Sequence, residues 1–193
     1  MFWRWAFVRG FMRWLLAPAV RRGRVFARDE RGVTAVEFGL LALPFFTVIF
    51  AIIETAMMFF AQQILDSAVE DASRMIKTGQ AQDSAYTITD FKNYMCGYTF
   101  GLFNCNNILV QVNTISTFSS VTTNPTIENC TGTTCTWSST DSYTPGVGRS
   151  VVQVSAWYRW PLLVVLPYFN LKNQPDNYRL MSSIRVFRNE PYS

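Results

Sequence analysis

Histidine is absent from the 193 residues. That removes Ser-His and Cys-His catalysis, histidine-zinc sites and a charge switch near neutral pH. Charge is also scarce. Asp, Glu, Lys and Arg make up 16% of the chain, against about 25% in soluble domains. Part of the chain therefore avoids water. No Lys or Arg occurs between Lys92 and Arg149. There is no Walker A loop and no GxGxxG after a strand. These absences argue against an enzyme, and no residue set points to a cofactor or a resident metal. The length allows one domain, or one small domain with an appendage.

The charge that is present is unevenly placed. The whole chain is +4. Residues 1–32 hold eight arginines against Asp29 and Glu30, a net +6. The remaining residues carry nine basic and eleven acidic groups, a net −2. A basic head thus precedes a mildly acidic body.

The boundary falls at Gly32, followed by VTAVEFGLLALPFFTVIFAIIETAMMFFAQQIL. Residues 38–53 are 16 uncharged residues in a row. A helix rises about 1.5 Å per residue, and a hydrocarbon core of about 30 Å takes about 20 residues. Counting from Val33 through Met57, Met58, Phe59 and Phe60 supplies that length. Arginines before the segment and sparse cations after it place the N-terminus in the cytoplasm and the body outside. An ordinary signal peptide has a shorter apolar core and an A-x-A-like site. Here the run is longer, contains Pro44, and has no such site after it. A helical pattern also continues beyond it. Ile64, Leu65, Ala68, Val69, Ala72, Met75 and Ile76 recur at spacings of three to four. Glu70 and Arg74 form an i,i+4 pair, Lys77 sits in the last turn, and Gly79 is a natural terminator. A single helix over residues 33–78 is predicted, transmembrane first and amphipathic second.

Two carboxylates interrupt the apolar segment. Intramembrane charge costs about 2.5–3.5 kcal/mol on insertion scales, so such groups have a partner or a purpose. Glu54 lies 21 residues after Val33, about 32 Å along a helix. It reads as a marker of the outer interface. Glu37 reads differently. A cut after Gly32 makes it the fifth residue of the product. This resembles the type IV prepilin motif, in which a basic leader ends in Gly and Glu stands fifth in a long apolar helix. Cutting frees the α-amine of Val33, a cation with a pKa near 8. That amine on one subunit offsets the Glu37 carboxylate of its neighbour and sets axial register. Gly32 suits an extended, unhindered backbone in a protease groove. The competing reading is an uncleaved signal anchor carrying an extracytoplasmic binding or sensing domain.

The chain as a whole resembles the TadE-like family of minor pilins, or pseudopilins, from tight-adherence (Tad, type IVc) pilus systems. GVTAVEFGLLALPF resembles the opening segment of the family. ASRMIKTGQAQ at 72–82 resembles its helix end and first loop. VVQVSAWYRWPLL at 151–163 and RLMSSIRVFRNEPY at 179–192 resemble its closing strands. Phe38 stands where pilins of these systems often carry Tyr, and TadE-like proteins tolerate it. The resemblance implies processing by a prepilin peptidase that recognises Gly32, Val33 and Glu37. It implies partnership with other pilin subunits, with the assembly machinery of the bacterial inner membrane, and with membrane lipid. It implies a periplasmic body that enters an extracellular pilus and takes part in adherence. No catalysis by this chain is implied.

The body reads as α+β. A short helix is expected over residues 89–96, with Thr89 as N-cap. Residues 108–114, 150–160 and 181–187 alternate as strands, and Pro161 ends the second. Residues 162–169 form an apolar patch. A long helix followed by at least three strands predicts a pilin-like fold, with a small antiparallel sheet packed on the helix's outer half. The domain boundaries expected are a removable leader at 1–32, the long helix at 33–80 and the body at 81–193. Between 113 and 144, 17 of 32 residues are Ser or Thr. This suits an exposed loop or edge hairpin, read either as a contact surface or as a solvated insertion.

Cys96, Cys105, Cys130 and Cys135 all follow the transmembrane segment. The compartment outside the membrane is oxidising, so disulfides are expected. Four cysteines allow three connectivities. Proximity and loop cost favour Cys96–Cys105 and Cys130–Cys135, and the first also fits the family pattern. A four-thiolate zinc site is the alternative, though C-x8-C is not usual zinc spacing. In the head, Trp3, Trp5 and Trp14 alternate with Arg4, Arg9 and Arg13. This reads as an amphipathic helix on the anionic inner leaflet. Nucleic-acid binding is the weaker reading, because the adjacent anchor already explains both residue types. Met12 offers a second start and a shorter leader.

Overall fold

The computed structural model describes residues 31–123, 127–131, 134–163, 171–175 and 177–192. The chain divides into two compact units, Met1–Phe50 and Ala51–Ser193. Helix α1 runs Arg31–Lys77 without a break. Its described part in the first unit is apolar all round. The basic head and residues 124–126, 132–133, 164–170, 176 and 193 lie outside the described residues. The expected amphipathic head helix therefore lies outside them as well.

The second unit is built on the amphipathic half of α1. Met58, Ala61, Leu65, Ala68, Val69, Ala72 and Ile76 are buried. Their spacing of three to four draws one stripe along the helix. Ala61, Ala68 and Ala72 let the backbone approach its neighbours closely, while Leu65 and Ile76 fill the space between. Gly79 ends the helix at φ +84°, and its N–H donates to the Ile76 carbonyl at 3.1 Å. A side chain there would put Cβ 2.8 Å from the Tyr192 ring. Glycine thus meets both a left-handed backbone and a close contact. A single turn, α2, follows at Gln80–Asp83.

Helix α3 spans Ile88–Gly97, and its N-cap is Thr87 rather than the expected Thr89. The reason is a capping box. The Thr87 hydroxyl accepts from the Asp90 N–H, and the Asp90 carboxylate accepts from the Thr87 N–H at 2.9 Å. Bonds from the Thr87 side chain and backbone hold the Asp90 carboxyl below its ordinary value. Phe91 and Met95 of α3 enter the same core as the α1 stripe.

Six strands follow: β1 at Leu109–Ile115, β2 at Ile127–Thr131, β3 at Thr134–Trp137, β4 at Ser142–Tyr143, β5 at Val151–Pro161 and β6 at Tyr178–Arg188. Four of them form a sheet in the order β4-β1-β5-β6. The β1–β5 and β5–β6 pairs are antiparallel, and β1–β4 is parallel. The sheet is thus mixed and mostly antiparallel, where an antiparallel sheet was expected. β4 is brought alongside β1 by Asp141. One carboxylate oxygen accepts the Val110 N–H at 2.8 Å, and the other pairs with Lys92 at 2.9 Å.

Val110, Val112, Val152, Val154, Ala156 and Met181 meet the α1 stripe in one core. Pairing of Val110 with Ala156 and of Val112 with Val154 puts these residues on one face. On the opposite face the Gln153 amide holds the Thr122 backbone, accepting its N–H at 3.1 Å and donating to its carbonyl. Gln153 is thereby covered on that face, within a run of seven successive buried residues of β5. Within the Ser/Thr-rich region β2 and β3 form a separate two-stranded sheet, while β4 is an edge strand of the main one.

Candidate functional site

Gly32, Val33 and Glu37 occupy the first two turns of α1. Val33 and Glu37 are one turn apart, so they share a helix face, about 6 Å apart along the axis. Val33 is 52% exposed and Glu37 is also exposed. A Cβ built on Gly32 meets nothing within 4 Å. Gly32 is helical in this fold, whereas the extended backbone expected of it belongs to a protease groove. A single glycine near a helix end costs only about 1 kcal/mol, less than the apolar run beyond it gains by continuing the helix. A protease that reads an extended backbone there must unwind the first turn.

The described residues of the first unit expose Val36, Phe38, Leu40, Leu41, Leu43 and Phe45 on every side of the helix. Such a helix needs lipid or protein around it. One of its hydroxyls is satisfied by the helix backbone itself. The Thr47 hydroxyl donates to the Leu43 carbonyl at 2.7 Å, which satisfies the hydroxyl without water. Pro44 supplies no N–H to the helix ladder. Among the described residues this is the one helix long and apolar enough to cross a membrane, as an anchor or as a signal sequence.

Glu54 lies in the second unit, and its role was missed in the sequence. It is 9% exposed, and its carboxylate accepts the backbone N–H of Leu163. The lone carboxylate in an apolar run was a visible signal. Its acceptor role was not, because Leu163 is 109 positions away. Glu70 likewise turns from Arg74, its expected i,i+4 partner, to Arg185 at 2.6 Å. Asp66 reaches the same guanidinium at 3.8 Å. One planar fork shared by two helix carboxylates outcompetes a solvated pair on one helix face.

The Cys96–Cys105 disulfide is formed and ties the last turn of α3 to the 3-10 turn Cys105–Asn107. Cys130 and Cys135 are direct partners in the β2–β3 register, and Cys135 is disulfide-bonded. No described cysteine is free. Among the described residues no group of three or more His, Cys, Asp or Glu side chains comes together as a metal site.

A helix that opens at an exposed Gly-Val pair, carries Glu one turn on and stays apolar for four further turns is a recognisable unit. Residues 32–74 match the TadE-like protein family. The TadE-like segment starts at Gly32 and covers both the apolar run and most of the core-facing stripe. It ends at Arg74, so the closing strands at 151–163 and 179–192 lie outside the match. The match is consistent with a Tad pilus component, and the TadE-like family is generally non-enzymatic. No curated protein and no solved structure matches the chain.

Proposed function

We propose that this chain is a minor pilin of a tight-adherence pilus, cleaved by a prepilin peptidase between Gly32 and Val33. The observation that carries the reading is the match beginning at Gly32, where the basic head meets a helix that is apolar all round. In this reading the leader holds the precursor against the inner leaflet. The mature subunit waits in the inner membrane with its body in the periplasm, then joins other pilin subunits through α1. The free Val33 amine and a neighbour's Glu37 set axial register, because two costly charges in an apolar core tolerate one pairing best. The disulfide-bonded body supplies the contact surface.

Intact-mass and N-terminal analysis of protein from cells tests this directly. The expected product starts at Val33. A retained leader together with normal piliation would sink the proposal and favour an uncleaved signal anchor with an extracytoplasmic binding or sensing domain.

A further inference from the structure

The two most exposed large apolar side chains among the described residues are Leu163 at 90% and Phe100 at 85%. Both exceed every residue of the apolar half of α1, where exposure reaches 72%. They come to one end of the second unit. Leu163 follows β5, and its N–H is held by Glu54 of α1. Phe100 lies in the loop closed by the Cys96–Cys105 disulfide. Phe103 of that loop packs edge-on against Tyr158 at 4.9 Å and Trp160 at 5.8 Å. Phe100 therefore sits three residues from the end of β5. Its backbone is left-handed, at φ +52°, which is strained for a bulky residue. Packing does not repay that strain, because Phe100 stays outside the core.

This end lies where the uncharged run of α1 stops. The run 38–53 ends one residue before Glu54. Gln62 meets the Ser182 carbonyl and Glu70 meets Arg185, so α1 and β6 run in the same sense. Eight residues back from Gln62 is about 12 Å of helix. Four residues back from Ser182 is about 13 Å of strand. Glu54 and Tyr178 are thus level. Around that level α1 exposes Ile52, Ile53, Met57, Phe59 and Phe60. No charged residue occurs from Trp160 to Leu171. Trp160 and Tyr178 are half-buried, and the Arg159 guanidinium lies 4.2 Å over the Tyr178 ring. Among the described residues no carboxylate pairs with Arg159. Trp, Tyr and Arg beside exposed apolar side chains is the composition of a membrane–water boundary.

We infer that the end of the body carrying Phe100 and Leu163 is a second membrane contact. Both side chains enter the outer edge of the bilayer that α1 spans, while Trp160, Tyr178 and Arg159 stay at headgroup level. The occupant is lipid, because the patch continues the apolar surface of α1 at the point where the uncharged run ends. With α1, residue 100 and residue 163 all seated, the body cannot swing freely about its anchor. The inference rests on α1 crossing a membrane. It does not rest on cleavage after Gly32 or on entry into a pilus.

The test uses the full chain in phosphatidylethanolamine–phosphatidylglycerol vesicles containing nitroxide-bearing acyl chains. No described cysteine is free, so a fluorophore is attached to one added thiol at a time. The sites are Leu41→Cys in α1, Phe100→Cys, Leu163→Cys and Val147→Cys. Val147 is 71% exposed but lies beyond the other end of β5, so it controls for a label that enters lipid by itself. Quenching at positions 100 and 163 should be at least twofold stronger than at 147. Position 41 reports whether α1 is in the bilayer. No quenching there would sink the membrane reading and the inference with it. Quenching at 41 without quenching at 100 and 163 would overturn the inference alone. The unlabelled F100E/L163E variant gives a second readout, and both side chains are exposed enough for the fold to survive. In vesicles it should speed amide exchange at residues 99–102 at least threefold and leave β1 unchanged. Equal exchange in the two proteins would overturn the inference. So would protection seen only at high protein-to-lipid ratio, which is the behaviour of a contact with a second copy.

Discussion

The backbone N–H of Leu163 donates to the carboxylate of Glu54. A charge in the apolar helix thereby closes the end of β5, two residues past Pro161. Leu163 itself is 90% exposed, so the bond holds an apolar side chain outward. Removing the acceptor forfeits this hydrogen bond, which costs about 0.5–1.5 kcal/mol. Glu54→Leu should therefore lower the denaturation midpoint of the body. Glu54→Gln keeps an acceptor and should recover at least half of the loss. Equal midpoints for wild type and the Leu variant would show that the bond contributes nothing.

Glu37 is exposed near the start of α1. Glu37→Ala should leave the body's stability unchanged and leave cleavage at Val33 intact, while piliation falls. Electron microscopy of surface pili, read beside the mass of the subunit, separates the two effects. Normal piliation in this variant would remove the register role.

The Cys96–Cys105 bridge closes a short loop, with a sequence separation of 9. Cys96→Ser with Cys105→Ser should cost about 2–4 kcal/mol, the usual range for a native disulfide. Non-reducing mass mapping should find Cys96 linked to Cys105 and Cys130 linked to Cys135. Four free thiols would contradict the oxidising compartment.

Asn189 is 3% exposed. Its side-chain NH2 serves the carbonyls of Pro145 at 2.9 Å and Val147 at 3.1 Å, and the Tyr192 hydroxyl at 2.8 Å. Next to it, Glu190 N–H donates to the Lys77 carbonyl at 2.9 Å, so the C-terminal residues staple the end of α1. Asn189→Ala should cost about 1–3 kcal/mol. It should also speed amide exchange at Glu190 more than at β1. Uniform loss across the body would argue against a local staple.

Burial pushes the Tyr143 phenol up to about 12, from an ordinary value near 10. The folded state therefore holds this proton more tightly than the unfolded chain. Its contribution to stability is complete below about pH 10 and is lost as pH rises towards about 12. Tyr143→Phe removes the ionisation and a buried hydroxyl without a hydrogen-bond partner. Alkaline unfolding followed by circular dichroism should begin at higher pH in this variant. An unchanged or lower onset would exclude the phenol as a cause.

Where chemistry repeats locally, the fold was legible. The Ala61, Leu65, Ala68, Val69, Ala72 and Ile76 stripe is periodic within one helix, and Gly79 marks its end, so α1 could be drawn from residues 33–78. Alternation likewise revealed β1, β5 and the middle of β6. The N-cap of α3 was misplaced by two residues because Thr87 and Thr89 are equally suited by type. Only the position of Asp90, three residues after Thr87, decides between them, and that capping pair went unread.

The candidate processing site was legible for a different reason. Gly32, Val33 and Glu37 are defined by spacing and by the change from basic to apolar residues, which need no third dimension. The sequence alone therefore determined the long helix, its apolar and amphipathic halves, the motif at its start and the α+β class. Only the tertiary structure decided what Glu54, Glu70 and Asn189 bind. Glu70 and Arg185 are 115 positions apart, and Glu54 and Leu163 are 109 apart. Periodicity reports which face of an element is buried. It carries no information on which distant polar group arrives there, because that depends on how the sheet seats its strands against the helix.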